Sequence, residues 1–321
     1  MNGHAVAPGE WLWPDSVMTA ETFAARWERL RPAFLDKMRQ HRLPEAAAAN
    51  LAAVYLPLAA WVHARKSAQP LILGIHGAQG SGKSTLCDFL AFVLNAAHGD
   101  RVAVLSIDDF YKTRAERERM ARAIHPLFVT RGVPGTHDVG LGLDTLGDLK
   151  NALPDASTPL PAFDKARDDR RPATEWPLFR GRPDTVLFEG WCVGAAPQAE
   201  AALREPVNAL ERDEDPFGIW RRYANERLRG DYARWFAELD GLIMLRVPGM
   251  NCVLGWRGLQ ESKLAENTAP DETHRLMDPA ALRHFVMHYE RLTRHCLEEM
   301  PGRADLTLFL DKAHRFERIR F

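Results

Sequence analysis

The dominant hydrophobic pattern of the chain is a series of short, continuous apolar runs that alternate with amphipathic stretches. Five runs have the length and composition of buried strands, at 71–75, 102–107, 185–188, 242–247 and 306–310. Several stretches between them carry apolar residues at helical spacing. Buried strands that alternate with helices predict an α/β fold, in which a doubly wound, mainly parallel sheet is covered by helices on both faces.

Helical spacing is also strong in the first 70 residues, where two apolar stripes follow one another. Pro32 interrupts the first stripe and is expected to break or kink that helix. Later helices are predicted over 144–152, 219–239, 251–266 and 278–299. In the last of these, Asp278 and Pro279 have the pattern of a helix cap followed by proline at the first helical position.

Composition and charge argue against several classes of protein. Of the 321 residues, 46% are hydrophobic and 26% are charged, and 42 basic side chains nearly balance 43 acidic ones. A net charge of −1 gives no strong field, so neither nucleic acid nor a membrane is expected as a partner. We recognise no bilayer-spanning run and no secretory signal. The cysteines are far apart and lack zinc spacing, which favours reduced thiols in the cytoplasm: Cys87, Cys192, Cys252 and Cys296.

The loop after the first strand reads GIHGAQGSGKST and matches the phosphate-binding pattern G-x-x-x-x-G-K-[ST]. Its glycines let backbone N–H groups turn toward phosphates, and the following helix presents its positive N-terminus. Lys83 is expected to reach the β- and γ-phosphates, and the Ser84 hydroxyl to ligate Mg²⁺. The motif lies between a predicted strand and a predicted helix, as a phosphate loop requires, whereas a chance match to the pattern would not need this context. The predicted nucleotide contacts are Gly77, Gly80, Ser81, Gly82, Lys83, Ser84 and Thr85.

Carboxylates follow the second and third predicted strands. Asp108 and Asp109 lie in SIDDFYKT, and Glu189 lies in FEGW. Because the carboxyl ends of parallel strands meet at one edge of the sheet, these acids are expected beside the phosphate loop. One carboxylate there would orient an attacking hydroxyl and accept its proton, and another would hold Mg²⁺. The alternative for Asp108 and Asp109 is a solvated turn, and for Glu189 a loop carboxylate whose hydrogen bonds are satisfied locally.

The order GAQGSGKST, DDFY, FEGW resembles the superfamily of phosphoribulokinase, uridine kinase and pantothenate kinase. Three further stretches are similar to the glycerate 3-kinase family of plants and fungi and its bacterial relatives: RGVPGTHD (131–138), PAFDKARDDR (161–170) and VLFEGWCVG (186–194). The resemblance covers about 75–310. It implies a P-loop kinase fold and the transfer of phosphate from ATP, with Mg²⁺, to a hydroxyl of a small organic acid. The expected reaction is D-glycerate to 3-phosphoglycerate.

The resemblance also implies roles for individual residues. Asp108 matches the catalytic base of the family motif, and Asp109 is expected to support the metal together with Ser84 and Glu189. Lys83 and an arginine in the predicted lid, Arg257, would stabilise charge on the transferred phosphoryl group; a surface ion pair is the alternative for the arginine. Gln260 is a weaker candidate, and Trp191 would either wall the pocket or belong to the core.

A small anionic acceptor needs cationic and hydroxyl-binding groups near the base. The candidates are Tyr111, Arg131, Thr136, His137, Asp138, Asp164 and Lys165. A simple turn at 131–138 and a solvated charge cluster at 164–165 are the alternatives. Where relatives carry a GDR segment after the lysine, this chain reads ARDDRRP, which leaves the roles of Arg167 and Arg170 open.

These observations divide the chain into a helical N-terminal extension over 1–70, packed on the core, and a kinase domain over 71–321. The kinase domain would contain an acceptor-binding insertion at about 112–184 and a lid at about 251–275. Two other functions stay open: a P-loop kinase for another small hydroxyl metabolite, such as a sugar, nucleoside or pantothenate-like compound, and a nucleotide-dependent regulatory ATPase. The sequence leaves the oligomeric state open.

Overall fold

The computed structural model describes residues 12–266 and 278–321, with the backbone alone for 260–266. Its strands are β1 (Leu71–Gly77), β2 (Val102–Ser106), β3 (Ser157–Pro159), β4 (Phe163–Asp164), β5 (Asp169–Arg170), β6 (Leu178–Arg180), β7 (Thr185–Gly190), β8 (Gly241–Arg246), β9 (Leu306–Leu310) and β10 (Phe316–Arg320). Its helices are α1 (Ala20–Gln40), α2 (Ala48–His63), α3 (Lys83–His98), α4 (Arg114–Ala123), α5 (Val139–Asn151), α6 (Ala209–Asp213), α7 (Ile219–Arg227), α8 (Ala233–Phe236), α9 (Met250–Glu266) and α10 (Pro279–Glu299). The first 11 residues of the predicted extension, the predicted lid beyond 266 and the Gln260 side chain lie outside this description.

The central sheet has the strand order β10-β9-β8-β1-β7-β2. Neighbouring strands from β9 to β2 are parallel, and β10 alone runs antiparallel at the edge. The five strands predicted from the apolar runs are all present, and the prediction of a mainly parallel α/β fold is confirmed. The carboxyl ends of β1, β2 and β7 meet at one edge of the sheet, where the candidate site lies.

The sheet separates two apolar cores. Alternate residues of β1 face opposite sides, as a strand requires. Leu73 and Ile75 pack into the core formed with α1, α2 and α3, and Ile72 packs into the core formed with α5, α8 and α10. Helices on both faces explain why the strands read as continuous apolar runs rather than as alternating ones.

A break or a kink was expected at Pro32, and the break is wrong, because α1 runs through the proline from Ala20 to Gln40. Proline removes one helical hydrogen bond and costs roughly 3 kcal/mol. Leu30, Phe34 and Met38 flank it and are buried against the core. Burial of each such side chain contributes roughly 1.5–3 kcal/mol, which is enough to offset the cost.

The helical segment Glu45–His63 has the length and mean hydropathy, 1.3, of a membrane-spanning helix, although no such run was recognised in the sequence. In the fold, 56% of its most apolar window is buried, and α2 packs against α1, α3 and β10. Its apolar character is therefore accounted for by its place in the core.

Helix α4 lies in the polar segment that follows β2 and was not predicted, because its residues are mostly charged. A capping box starts it: the Thr113 hydroxyl accepts the Glu116 N–H at 3.3 Å, and the Glu116 carboxylate accepts the Thr113 N–H at 2.8 Å. The box fixes the helix that carries Arg117, which is completely buried.

Thr113→Ala is expected to lower the free energy of unfolding by about 1 kcal/mol, because it removes the helix cap. Urea denaturation measures the change. Glu116→Gln, which retains an acceptor for the backbone N–H, is the control and should change stability by less than about 0.5 kcal/mol. Equal stability of Thr113→Ala and the unaltered protein would show that the cap does not hold α4.

Candidate active site

The phosphate loop joins β1 directly to α3. Gly80 and Gly82 have φ values of +77° and +88°, which residues with a side chain rarely adopt. An ideal Cβ on Gly77 would lie 2.6 Å from the Ser81 hydroxyl oxygen, so the close turn requires glycine there. The glycines of the motif thus shape the loop that begins α3 at Lys83.

Several polar groups of this loop suit a phosphate ligand. The Ser81 hydroxyl is buried without a hydrogen-bond partner among the described residues. The Lys83 ammonium donates to the Ala78 carbonyl at 3.3 Å, which leaves most of its donor capacity for an anion. The N-cap of α3 is Gly82, which has no side chain to cap the helix, so the first N–H groups of α3 face the loop.

Ser84 and Glu189 meet across the edge of the sheet. The Ser84 hydroxyl donates to Glu189 Oε1 at 2.8 Å, because β1 and β7 are neighbours and Glu189 is paired with Ile75. The part of the chain that the structure describes holds no cluster of three or more His, Cys, Asp or Glu side chains suited to a metal. One hydroxyl and one carboxylate beside a phosphate loop fit Mg²⁺, which usually takes one or two protein carboxylates together with substrate phosphates and water.

Both carboxylate oxygens of Asp108 are hydrogen-bonded. The Tyr111 hydroxyl donates to Oδ1 at 2.8 Å, and the Lys165 ammonium donates to Oδ2 at 2.7 Å. Burial alone would raise the pKa of Asp108, but Lys165 and the Tyr111 hydroxyl outweigh it and lower the pKa to about 2. The structure therefore keeps Asp108 ionised.

Asp109 lies in a different environment from its neighbour. Its Oδ1 accepts the Phe163 N–H at 3.1 Å, so the side chain anchors β4. Burial, together with the adjacent Asp108 charge, raises the pKa of Asp109 to about 6 despite that hydrogen bond. Asp109 also lies close enough to Glu189 for their charges to interact.

The hairpin of β4 and β5 positions Lys165 over Asp108. Asp164 Oδ1 accepts the N–H groups of Ala166 and Arg167 at 2.9 and 3.1 Å and so shapes the turn. Arg170, in β5, donates to the Tyr111 carbonyl at 2.9 Å and pairs with Asp138 at 3.1 Å. The segment that departs from the family pattern thus ties the hairpin to the loop after β2.

Asp168, in the turn between β4 and β5, forms ion pairs with two arginines. It pairs with Arg131 and, at 3.0 Å, with the buried Arg117. Arg117 also donates to the carbonyls of Val129 and Asp168 at 2.7 and 2.6 Å, so its charge is compensated. The ion pair engages Nη1 of Arg131, whose side chain is 25% exposed.

The RGVPGTHD stretch, which we name the acceptor loop (131–138), is shaped by internal hydrogen bonds and by contacts with neighbouring elements. Thr136 is fully buried; its hydroxyl accepts the Gly132 N–H at 3.0 Å and donates to the Val133 carbonyl at 2.7 Å. Asp138 caps α5 by accepting the Leu141 N–H at 3.1 Å. These contacts give Thr136 and Asp138 a part in the shape of the loop.

His137 is buried between two tyrosines. Its ring stacks on Tyr111 at 4.5 Å, and its Nδ1 lies 2.5 Å from the Tyr232 hydroxyl, which also accepts the Gly135 N–H at 2.9 Å. Burial lowers the pKa of His137 to about 3, so the ring is neutral. The economical arrangement has Tyr232 donating to Nδ1, which leaves a proton on Nε2. Nε2 is buried without a partner among the described residues.

Helix α9 packs against the phosphate loop. An ideal Cβ on Gly80 would lie 2.8 Å from Trp256 Cβ and 3.6 Å from the backbone nitrogen of Arg257. The Trp256 ring stacks on His314 at 3.8 Å, and His314 Nε2 lies 2.8 Å from the Gly80 carbonyl oxygen. The Arg257 guanidinium lies 5.8 Å from the centre of the Phe285 ring. Arg257, the arginine predicted in the lid, therefore belongs to a helix that contacts the phosphate loop.

Three comparisons with known proteins bear on this geometry. An uncharacterised kinase of Schizosaccharomyces pombe, mug58, is 32% identical over 255 residues, which are 72% of this chain and 87% of that kinase. The chloroplastic D-glycerate 3-kinase of Arabidopsis thaliana is 27% identical over 242 residues, which are 70% of this chain and 50% of that enzyme. The chain belongs to the glycerate kinase-like P-loop kinases. No protein-family profile matches it.

The solved D-glycerate 3-kinase of Cryptococcus neoformans shares the fold of this glycerate kinase-like chain. The two superpose with a TM-score of 0.64 at 22% identity, over 83% of this chain and 96% of that enzyme. Together the comparisons confirm the predicted family and make the chain a phosphotransferase that acts on a hydroxyl acceptor.

Sequence analysis of this glycerate kinase-like chain missed several residues that shape the site. No sequence motif marks Asp168 or Arg117, because the residues that they pair with are distant from them in the sequence. Tyr232 lies in the predicted helix over 219–239, in a π-helical turn, Leu228–Tyr232, between α7 and α8. Tyr289 is a buried residue of α10, and its hydroxyl donates to the Arg131 carbonyl at 3.1 Å.

Proposed function

We propose that the chain phosphorylates D-glycerate with ATP to give 3-phosphoglycerate and ADP. The observation that carries this proposal is the contact of Lys165 with Asp108, because it places a cation beside the candidate base. The Lys165 side chain is 60% exposed, so an incoming ligand has access to it. A base next to an accessible cation suits an acceptor that carries a hydroxyl and a carboxylate. The D-glycerate 3-kinases among the relatives act on such an acceptor.

Asp108 is the proposed base. The acceptor hydroxyl gives its proton to Asp108 while its oxygen bonds to the γ-phosphorus, and the bond from that phosphorus to the ADP oxygen breaks. A pKa of about 2 makes Asp108 a weak base. Phosphoryl transfer has a loose transition state, so orientation of the hydroxyl contributes more than proton affinity.

Lys165 and Arg131 are the proposed partners of the acceptor carboxylate. Lys165 is held on the β4–β5 hairpin, and Arg131 is held by Asp168. The buried Nε2–H of His137 and the Tyr111 hydroxyl are the proposed contacts for the acceptor hydroxyls. Asp164 contributes indirectly by shaping the turn of the hairpin. Thr136 and Asp138 contribute by shaping the acceptor loop.

Lys83 and Arg257 are proposed to offset the negative charge that develops on the transferred phosphoryl group. The remaining phosphate contacts would come from the other residues of the phosphate loop: Gly77, Gly80, Ser81, Gly82 and Thr85. Ser84 and Glu189, with Asp109 nearby, are proposed to hold Mg²⁺, which neutralises phosphate charge when bound.

The proposed division of the chain follows from these roles. Residues 1–70 form the helical extension and 71–321 the kinase domain, in which 112–184 bind the acceptor and 251–275 act as a lid. A cytoplasmic site of action is part of the proposal; the Arabidopsis relative is described as chloroplastic.

Lys165→Met is expected to raise KM for D-glycerate about 10- to 100-fold and to leave the affinity for ADP unchanged, because it removes a charged hydrogen bond worth roughly 1.5–3 kcal/mol. Steady-state kinetics and calorimetry measure the two quantities. Lys150→Met is the matched control, since Lys150 pairs with Glu238 on another part of the surface. An unchanged KM for Lys165→Met would remove Lys165 from the acceptor site.

Release of ADP from Mg-ATP across a panel of acceptors tests the reaction. The panel contains D-glycerate, L-glycerate, glycerol, pantothenate, uridine and no acceptor. Turnover with D-glycerate and none with glycerol is the expected result. Preference for uridine or pantothenate would support the kinase for another metabolite, and equal turnover with no acceptor would support the regulatory ATPase.

A further inference from the structure

The turn that follows β9 reaches the phosphate loop at the edge of the sheet. Strand β9 is parallel to β8 and β1, so its carboxyl end lies at the same edge as the loop after β1. From this turn, which we name the β9–β10 turn (311–315), Nε2 of His314 lies 2.8 Å from the Gly80 carbonyl oxygen. We propose that His314 is a positioning residue that holds the phosphate loop in the shape that binds the nucleotide phosphates.

The contact between His314 and Gly80 has a defined direction. A backbone carbonyl only accepts, so Nε2 carries the hydrogen and donates it. The trans peptide between Gly80 and Ser81 points its C=O and its N–H to opposite sides. A carbonyl fixed toward His314 therefore turns the Ser81 N–H away from His314, to a place 3.2 Å from the Ala78 carbonyl oxygen. The Lys83 ammonium donates to the same oxygen at 3.3 Å, so the two donors converge on one region inside the loop.

The backbone at His314 adopts a conformation that is rare for a residue with a side chain. Its φ is +61°, in the left-handed region. Asp311 shapes the turn: its carboxylate accepts the N–H groups of Ala313 and Arg315 at 2.7 and 2.9 Å, and its carbonyl accepts the His314 N–H at 3.1 Å. Backbone strain of this kind persists only where the surrounding structure imposes it. The turn thus presents the His314 ring to the phosphate loop in one orientation.

Trp256 of α9 fixes both the His314 ring and the turn that carries it. The two rings stack with their centres 3.8 Å apart and an angle of 29° between their planes. Trp256 Nε1 donates to the Lys312 carbonyl at 3.1 Å. The phosphate loop packs on the same tryptophan, since an ideal Cβ on Gly80 would lie 2.8 Å from Trp256 Cβ. Because packed side chains deform little, the His314 ring has little freedom to leave the Gly80 carbonyl.

Loss of this hydrogen bond is expected to loosen the free phosphate loop and to weaken nucleotide binding. His314→Phe keeps an aromatic ring against Trp256 but has no donor. In this variant without nucleotide, peptides covering 77–85 should exchange hydrogen for deuterium about three- to tenfold faster, the range for one net hydrogen bond. The Kd for Mg-ADP, measured by calorimetry, should rise by about the same factor, because binding must then also order the loop.

Three further variants separate the hydrogen bond from other effects. His314→Gln has an amide that can replace the Nε2–H donor, so its exchange and its Kd should stay within about twofold of the unaltered protein. His314→Asn tolerates the left-handed backbone but is too short to reach Gly80. It guards against a folding defect in His314→Phe and should show the same losses. His284→Phe is the matched control, because His284 contacts Glu214 on another part of the surface, and it should change neither quantity.

The inference is overturned if His314→Phe and His314→Asn exchange and bind Mg-ADP like the unaltered protein. It is also overturned if His314→Gln loses as much as they do, since ring packing and not the hydrogen bond would then be responsible. The inference rests on the phosphate loop of the proposed function and not on the acceptor. Absence of Mg-ADP binding to the unaltered protein would overturn the nucleotide site and this inference together, whereas failure of the D-glycerate assay would overturn only the proposed acceptor.

Discussion

Asp108→Asn is expected to lower kcat for D-glycerate about 10³-fold or more. The amide cannot accept a proton and presents an N–H where the acceptor hydroxyl would donate, and removal of a general base typically costs 10²–10⁴-fold. The affinity for ADP should stay within about threefold, because Asp108 is bonded to Tyr111 and Lys165 and not to the phosphate loop. Steady-state ADP release and calorimetry measure the two effects.

The matched control is Asp148→Asn on α5, an exposed aspartate of the same type. Its kcat should equal that of the unaltered protein. If Asp108→Asn kept more than about a tenth of the activity, Asp108 would not be the base, and the proton would have to pass to another group. If it lost ADP binding as well, the residue would belong to the nucleotide site.

Gly132→Ala is expected to lower the free energy of unfolding by about 3–5 kcal/mol and to abolish acceptor turnover. The backbone at Gly132 has a φ of +138°, where strain of roughly 1–3 kcal/mol is typical for a residue with a side chain. The added methyl group would lie 2.2 Å from the Tyr289 hydroxyl oxygen, and forced overpacking adds roughly 1–3 kcal/mol. Because Tyr289 is wedged against Trp191, the acceptor loop is the part expected to move.

Chemical denaturation and kinetics check this prediction. Gly147→Ala on α5 is the matched control, because an ideal Cβ there meets nothing within 4 Å and alanine favours a helix. It should leave stability unchanged or slightly raised. Gly132→Ala with normal stability and a normal KM for D-glycerate would show that the loop adapts and that its contact with Tyr289 does not matter.

The sheet was predictable because its strands are buried on both faces and read as short apolar runs without help from distant residues. The phosphate loop was predictable because Gly77 to Ser84 form one local motif. Asp108 and Glu189 were placed beside it by the rule that the ends of parallel strands meet at one edge. Each of these inferences uses spacing along the chain or a general rule of topology.

The contacts that organise the acceptor side could not be read in the same way. The pairing of Arg131 with Asp168, and the approach of Tyr289 to Gly132, join residues that are far apart in sequence and depend on how the hairpin and α10 pack. Helix α4 was not predicted because it contains few apolar residues. Helix α1 does not break at Pro32 because packing of its apolar face in the core outweighs the energy cost of proline in a helix. Asp138, which was expected to bind the acceptor, also caps α5, a role that the motif did not reveal.

Phosphorus NMR of the product formed from Mg-ATP and D-glycerate tests the central claim most directly. The account predicts a phosphomonoester signal of 3-phosphoglycerate that grows in equal amount with ADP and disappears in Asp108→Asn. Inorganic phosphate as the only new signal beside ADP, at the same rate with and without D-glycerate, would contradict it and leave the chain as an ATPase.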